Sequence, residues 1–460
     1  MIDSTRDVGR VNRNGFASGL KELARRSAAR MGRRAFRHNP VTLPPMAGAL
    51  ALGAEEERAL RRVIRSQRLG RQAGPWGTPS ECSALERQLA EYLGAPDCLL
   101  VSSGTAALHC ALVGLEIGPG DEVIVPAYAW LTTATSVCNV GAVPVIADID
   151  ETLTLDPRSI ERSISPHTRA IVAVHMRGSP ARMDQIQAIA DRFQLRVIED
   201  AAQALGGSHE GRNLGTIGDV GCFSLQTYKL VCVGEGGAVV ARDAGVMERM
   251  REFHGRTDGS TLSMNYGMSE LAAAVGRVQL ARVPRMLARM RGIKSELRRV
   301  LEQLALGRDR WIRGDVDIQG DTATCLTFFE ATPGLADRTC AALRAEGVAC
   351  SRGYQPGAAD LHVYRHWDSI MHQRPLSPGG GPWRFAHREI TYSPDMCPRA
   401  LDVLGRAVEI TILPQHNGRH VASIVRGMRK ALSADLARAP ETPIAASLMP
   451  SPAGGAGTTS

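Results

Sequence analysis

The chain has 460 residues, of which 44% are hydrophobic, 22% are charged and 4% are aromatic. This length exceeds one ordinary domain, and the composition is that of a globular protein rather than a disordered or fibrous one. No apolar run approaches the roughly 18 to 20 residues that a membrane-spanning helix needs. The ten cysteines form no CxxC pair, which favours free thiols and a reducing, cytoplasmic compartment.

The net charge of +8 is concentrated at the start of the chain. Residues 1–40 hold ten Lys and Arg against three acidic residues, so this arm carries +7 and the rest of the chain about +1. Such an arm is typical of a nucleic-acid or anionic-surface tail, of a targeting segment, or of an extension upstream of a later start at Met31 or Met46. We favour a disordered arm with a minor role, and we expect neither nucleic acid nor a membrane as partner.

The predicted elements begin with helices over about 54–67 and 80–93, separated by a glycine-rich loop. Strand and helix signals then alternate, and this alternation predicts an α/β fold with a mostly parallel sheet and helices on both faces. In such sheets ligands bind beyond the carboxyl ends of the strands. The predicted strands are 98–101, 122–125, 143–146, 170–174 and 195–198, and the predicted helices are 106–115, 130–140, 159–164 and 183–193.

The second half of the chain has a different pattern. One or two helices are predicted over 269–304, followed by a smaller α+β pattern with a strand near 323–329 and helices near 335–347 and 420–432. We therefore predict four segments along the chain. They are a basic arm over 1–45, a large α/β domain with its leading segment over 46–285, a linking helix and small domain over 286–435, and a disordered tail over 436–460.

One lysine, Lys229, indicates a site for covalent chemistry with a cofactor. An apolar run ends at Ser224, Lys229 follows five residues later, and the glycine turn 234–237 closes the loop. A lysine amine becomes a Schiff-base nucleophile where its surroundings keep it partly deprotonated. Pyridoxal 5'-phosphate uses such a lysine and needs a carboxylate partner for its ring nitrogen. Alone, the stretch is weak evidence, because most lysines are solvated surface groups.

Three further features stand at predicted strand ends. The small residues 103–105 open a helix and are typical either of a phosphate site or of an ordinary N-cap. Asp200, delivered with Glu199 by a strand, is either the partner of a pyridinium nitrogen or an N-cap. Trp130 either stacks on a cofactor ring or belongs to the core. Gln203, about one helical turn beyond Asp200, is placed to reach the oxygen of the same ring.

Together these segments resemble the DegT/DnrJ/StrS aminotransferases, which make amino sugars and aminocyclitols. The resemblance is dense over residues 80–285 and looser to about 435. It implies the fold-type I scaffold of enzymes that depend on pyridoxal phosphate, with a large, mostly parallel-sheet domain and a smaller C-terminal α+β domain. The segments that carry it are Ser103–Leu108, Gly118–Pro126, Glu199–Gln203, Ser224 with Lys229, and Gly234–Gly237.

The resemblance implies a role for each matching residue. Lys229 would bind the cofactor covalently and act as the general base, while Asp200 would pair with the pyridine nitrogen. No metal is implied. The remaining cofactor contacts would be Gly104, Thr105 and Ser224 at the phosphate, Trp130 on one ring face, and Gln203 at the ring oxygen. Asn265 would contact the phosphate of the partner subunit's cofactor. The expected protein is therefore a homodimer with a shared active site.

Two positions depart from the family's commoner residues. Gly267 stands where the family often has arginine, two residues after the position of Asn265. Gln203 stands where many sugar-nucleotide aminotransferases carry histidine. Together with Gln226, it favours the branch that acts on inososes and related cyclic ketones with glutamine as donor.

The resulting hypothesis is an aminotransferase that moves an amino group from L-glutamate or L-glutamine to a keto-sugar or keto-cyclitol. One alternative is a sugar dehydratase of the same fold, although those relatives carry histidine where this chain has Lys229. Another is a catalytically idle regulator. The loop with His362, Tyr364, His366 and Trp367 either shapes the acceptor pocket or is a surface loop.

Overall fold

The computed structural model describes residues 52–71, 80–255, 262–305 and 310–433, apart from residues 356, 358, 376, 377 and 379. The predicted arm, most of the first glycine-rich loop and the predicted tail lie outside these residues. Of the helices described, none is both long and apolar enough to cross a membrane. All ten cysteines are unpaired, as predicted.

The first part of the described chain alternates between strands and helices. Serine side chains cap two of the helices: Ser80 accepts a hydrogen bond from the N–H of Ser83, and Ser103 accepts one from that of Ala106. The elements are α1 (Ala54–Ser66), α2 (Glu81–Leu93), β1 (Cys98–Val101), α3 (Gly104–Gly114), β2 (Glu122–Pro126), α4 (Thr132–Asn139), β3 (Val143–Ala147), α5 (Pro157–Ser163), β4 (Thr168–Val174), α6 (Met183–Phe193) and β5 (Arg196–Asp200).

The next elements complete the large sheet and lead away from it. They are a small hairpin of β6 (Ser208–His209) and β7 (Arg212–Asn213), then β8 (Val220–Ser224), β9 (Gly237–Ala241), α7 (Ala244–Gly255), α8 (Glu270–Leu280) and α9 (Val283–Ala305). The helical stretch predicted over 269–304 is thus two helices. Pro284 lies in the first turn of the second, where its missing N–H costs no hydrogen bond.

The large sheet has seven strands in the order β1-β9-β8-β5-β4-β2-β3. All its pairings are parallel except those of β9, which runs antiparallel to both β1 and β8. Its central strands β4, β5 and β8 are buried along almost their whole length because helices cover both faces. The carboxyl ends of β1, β2, β4, β5 and β8 therefore meet at one edge, as the sequence predicts.

The last part of the described chain forms a smaller, antiparallel sheet in the order β10-β11-β13-β12. One of its faces is apolar and packs in a core with helices from this region: Leu326, Phe328, Val408 and Ile410 belong to it. The elements are β10 (Trp311–Ile312), β11 (Cys325–Phe329), α10 (Pro333–Ala345), β12 (Cys350–Arg352), α11 (Asp368–Met371), α12 (Pro398–Arg406), β13 (Ala407–Thr411) and α13 (Gly418–Ser433).

The structure confirms the predicted fold class, an α/β protein with a mostly parallel sheet. Strands β9 and β13 and helix α12 were not predicted individually, because each is short, with nine residues at most. The division of the chain near residue 285 into a large and a small domain stays a prediction.

Candidate active site

A cavity of about 670 Å³ opens at the edge where the parallel strands end. It is bounded on one side by residues at the ends of β1, β4, β5 and β8, and on the other by residues of the small sheet. Seven of the eight residues predicted from the sequence line it, namely Gly104, Thr105, Trp130, Asp200, Gln203, Ser224 and Lys229. Asn265 does not.

Lys229 lies in the loop between β8 and β9 and is partly buried. Burial lowers the pKa of its amine; the carboxylate of Asp200 opposes this effect, and the guanidinium of Arg177 adds to it. Within the described part of the chain, the Nζ atom has no hydrogen-bond or ion-pair partner. Gly234, with φ at 90°, allows the loop to turn back. The result is an amine that is neutral more readily than a surface lysine.

Asp200 ends β5 and is almost fully buried. Thr133 Oγ1 donates a hydrogen bond to its Oδ2 at 2.9 Å, and the N–H of Ala202 donates to its Oδ1 at 3.1 Å. No helix follows directly, so the aspartate is not the cap of one. Its carboxylate instead borders the cavity, where it can accept a further hydrogen bond.

The turn before α3 forms the candidate anion site. Ser103 caps the N–H of Ala106, while in the described chain the N–H groups of Gly104 and Thr105 have no acceptor. Ser224 is packed against this turn: a Cβ at Gly104 would lie 2.9 Å from the Cβ of Ser224. Two unpaired N–H groups, a hydroxyl and the positive end of an 11-residue helix suit a phosphate group.

Trp130 and Gln203 lie on other sides of the cavity. Trp130 is 44% exposed, so it is not a core residue, and its ring meets that of His362 edge-on with centroids 4.9 Å apart. Gln203 accepts a hydrogen bond from the N–H of Arg177 at 3.0 Å through Oε1. Among the residues that the structure describes, its amide Nε2 has only a long contact of 3.9 Å, to Met176 Sδ, and it remains able to donate.

Asn265 is exposed and lies beside the phosphate turn rather than in the cavity. Its neighbour Tyr266 ties the segment down, because its carbonyl accepts from the N–H of Ser102 at 2.7 Å and its hydroxyl bonds with His109 at 2.9 Å. An exposed asparagine held next to that turn agrees with the hypothesis that it reaches a second subunit.

Comparison with known proteins agrees with this geometry. The model of the DegT/DnrJ/EryC1/StrS aminotransferase family matches residues 51–376. The chain belongs to this family. Among curated relatives of this family member, an L-glutamine:2-deoxy-scyllo-inosose aminotransferase from Streptoalloteichus tenebrarius is 39% identical over 58% of the chain and 62% of the relative. A second enzyme of that name, from Streptomyces kanamyceticus, is 44% identical over 44% of the chain and 47% of the relative.

The matched region thus spans less than two thirds of these curated relatives. Among solved structures, that of DesV from S. venezuelae superposes on this aminotransferase-family chain with a TM-score of 0.67 at 30% identity. That superposition covers 83% of this chain and 95% of DesV. The fold of the described residues is therefore that of the family.

Sequence reasoning missed two charged residues in the cavity of this family member. Arg177 follows the carboxyl end of β4, a position that could have singled it out. Glu409 lies in the middle of β13 and gives no local signal. The two form an ion pair, with Arg177 Nη2 at 3.0 Å from Glu409 Oε2 and Arg177 Nε at 3.3 Å from Oε1.

Glu199, the neighbour of Asp200, has a structural role. It is fully buried and does not line the cavity. Its carboxylate accepts hydrogen bonds from His175 Nε2 at 3.0 Å and from the N–H groups of Gly215, Ile217 and Gly218. Burial raises its pKa, but these hydrogen bonds outweigh burial and the net shift is downward. Alternation along β5 thus assigns one carboxylate to the protein interior and the next to the cavity.

The predicted loop around His362 contributes one residue to the cavity. His362 lines it and bonds with Asp360 at 2.8 Å. Tyr364 and Trp367 are fully buried and belong to the core instead. The interpretation of this segment as a pocket wall therefore holds for His362, whereas the two large aromatic residues pack the interior.

Proposed function

We propose that this protein is an aminotransferase that depends on pyridoxal 5'-phosphate and moves an amino group from L-glutamine or L-glutamate to a keto-cyclitol or keto-sugar. The observation that carries the proposal is the meeting of Lys229, Asp200 and the Gly104–Thr105 turn in one cavity. A nucleophilic amine, a carboxylate and an anion site are the three groups that this cofactor needs.

The residues fit the cofactor in the following way. Gly104, Thr105 and Ser224 would bind the phosphate, through unpaired N–H groups and a hydroxyl that already lie together. Asp200, oriented by Thr133, would hold the proton on the pyridine nitrogen. When bound, the cofactor supplies an electron sink that stabilises negative charge on the reacting carbon.

Three other side chains would position the ring and move the proton. Trp130 would cover one ring face, and Gln203 would donate its free amide N–H to the ring oxygen. Lys229, whose amine is readily neutral, would hold the cofactor in the resting enzyme. When this amine is free, it would act as the general base that moves the proton during transfer of the amino group, as a lysine with a lowered pKa can.

The reaction balances in two halves. An amino acid gives its amino group and leaves as a keto acid, and a ketone then accepts that group and leaves as an amine. The relatives named for L-glutamine and 2-deoxy-scyllo-inosose support glutamine as donor and a keto-cyclitol as acceptor. Gln203 and Gln226 favour the same branch.

The test is spectroscopic. Purified protein with added pyridoxal 5'-phosphate should acquire a visible absorption band, which L-glutamine or L-glutamate should bleach and 2-deoxy-scyllo-inosose should restore. Lys229→Ala should lose the band, whereas the matched control Lys430→Ala, at an exposed lysine paired with Glu346 at 2.6 Å, should keep it. A wild-type protein that takes up no cofactor would refute the proposal.

We further propose a homodimer in which Asn265 of each subunit reaches the phosphate site of the other. The exposed position of Asn265 beside the phosphate turn supports this proposal. Light scattering should give twice the mass of the chain, and Asn265→Ala should weaken cofactor binding without changing that mass. A monomeric holoenzyme would overturn it.

A further inference from the structure

The wall of the cavity opposite Lys229 comes from the small sheet, and this wall is polar. Strand pairing places Thr327 opposite Glu409 on one side of β13, and Ser351 opposite Glu409 on the other. Because side chains alternate across a strand, Glu409 and Thr411 share a face, while Val408 and Ile410 point into the apolar core. Ser351, Glu409 and Thr411 line the cavity.

Glu409 is the centre of this wall. Only 3% of the residue is exposed, yet its carboxylate borders the cavity. Among the described residues, its hydrogen-bond donors are Nε and Nη2 of Arg177 and, at 3.4 Å, Oγ of Ser351. A carboxylate offers about four lone-pair sites, so at least one acceptor site remains for a bound molecule.

Arg177 is held in place by an unusual backbone. Its φ of 58° and ψ of 25° put it in the left-handed region, which an arginine seldom adopts. Gln203 Oε1 accepts from its N–H, and its carbonyl accepts from Thr324 Oγ1 at 2.5 Å. Strained residues of this kind are retained where the surroundings force them, commonly at binding sites. At this position the side chain of Arg177 lines the cavity and its guanidinium pairs with Glu409.

We propose that Glu409, Arg177, Ser351 and Thr411 form the subsite that binds the hydroxyl groups of the acceptor. This inference rests on the proposed function, since the donor amino acid has no such array of hydroxyls. A polyhydroxylated ring needs partners for hydroxyls on several carbons, and an apolar wall would leave them unpaired at a large cost. A wall of carboxylate, guanidinium and hydroxyl groups supplies both acceptors and donors.

The same wall should bind the acceptor and the donor amino acid differently. Hydroxyl groups donate strongly to a carboxylate, whereas the α-carboxylate of a donor amino acid can pair with Arg177 but gains nothing from the carboxylate of Glu409, which already occupies that guanidinium. Removing the charge of Glu409 should therefore weaken the acceptor and spare or tighten the donor. A purely structural ion pair between the two sheets would not distinguish them.

The test compares Glu409→Gln with wild type and with Thr327→Val. Thr327 is the cross-strand neighbour of Glu409 and is equally buried, but it lies outside the cavity. In the holoenzyme, Glu409→Gln should raise the KM for 2-deoxy-scyllo-inosose about tenfold, as expected for a lost charged hydrogen bond. Bleaching by L-glutamine should keep its wild-type concentration dependence or need less donor. Thr327→Val should change neither.

A binding measurement separates recognition from turnover. Calorimetry with myo-inositol, a cyclitol without the ketone, should show weaker binding to Glu409→Gln than to wild type by the same factor. Equal losses in both half-reactions, or an unchanged acceptor KM and myo-inositol affinity in Glu409→Gln, would overturn the subsite. Failure of wild type to bleach with any donor would instead refute the proposed function.

Discussion

Thr133 Oγ1 donates a hydrogen bond of 2.9 Å to Asp200 Oδ2, and both residues are almost fully buried. Thr133 lies in the first turn of α4, while Asp200 ends β5, so the bond joins a helix to the sheet. It leaves the carboxylate oriented toward the cavity and limits the positions its second oxygen can take.

Replacing Thr133 by valine, which has the same shape without the hydroxyl, should destabilise the protein. The carboxylate loses a donor in a buried setting, and we expect the free energy of unfolding to fall by about 1–3 kcal/mol. Urea unfolding of the cofactor-free protein measures it. Thr133→Ser keeps the hydroxyl, so its free energy of unfolding should fall clearly less. Equal stability of the valine and serine variants would contradict a stabilising hydrogen bond from Thr133 to Asp200.

Lys229 should react with an amine-acylating reagent at lower pH than an ordinary lysine. Lowering the pH protonates any amine. Because burial lowers the pKa of Lys229, a larger fraction of its amine stays neutral at a given pH than in an ordinary lysine. Lys430 is the control, since its side chain is 74% exposed and more accessible to reagent.

Mass spectrometry of cofactor-free protein after brief labelling at about pH 8 should show more modification at Lys229 than at Lys430, and the difference should shrink toward the ordinary lysine pKa of about 10.4. Access favours Lys430, so this order would reflect the lowered pKa of Lys229, together with the ion pair that holds Lys430 to Glu346. Preferential labelling of Lys430 at all pH values would refute it.

Gly104→Ala should weaken cofactor binding. The added Cβ would lie 2.9 Å from the Cβ of Ser224 and 3.4 Å from its Oγ, so the phosphate turn and the hydroxyl must move apart. We expect the dissociation constant for pyridoxal 5'-phosphate, measured by absorbance titration, to rise about tenfold or more, because overpacking costs about 1–3 kcal/mol.

The matched change is Gly292→Ala, in the middle of α9, where a Cβ would meet no atom within 4 Å. It should leave the dissociation constant unchanged and stabilise the helix by up to about 1 kcal/mol. Equal cofactor affinity in both variants would show that the Gly104 turn does not bind the phosphate.

Local patterns in the sequence were enough to predict the alternation of strands and helices and the residues at the strand ends. Apolar periodicity and turn residues are local signals, so they predicted β5 with Asp200 at its end and the loop that carries Lys229. Because parallel strands end at one edge, these local assignments were enough to bring seven of the eight predicted residues to one cavity.

The distant side chains that meet in the cavity could not be predicted in this way, because their meeting depends on the tertiary structure. Thr133 and Asp200 are 67 residues apart, and Arg177 and Glu409 are 232 apart. The face of β13 that carries Glu409 is set by cross-strand register and by packing of the opposite face on the small core. Such pairings depend on how whole elements pack together, so they cannot be predicted from a local pattern of residue types.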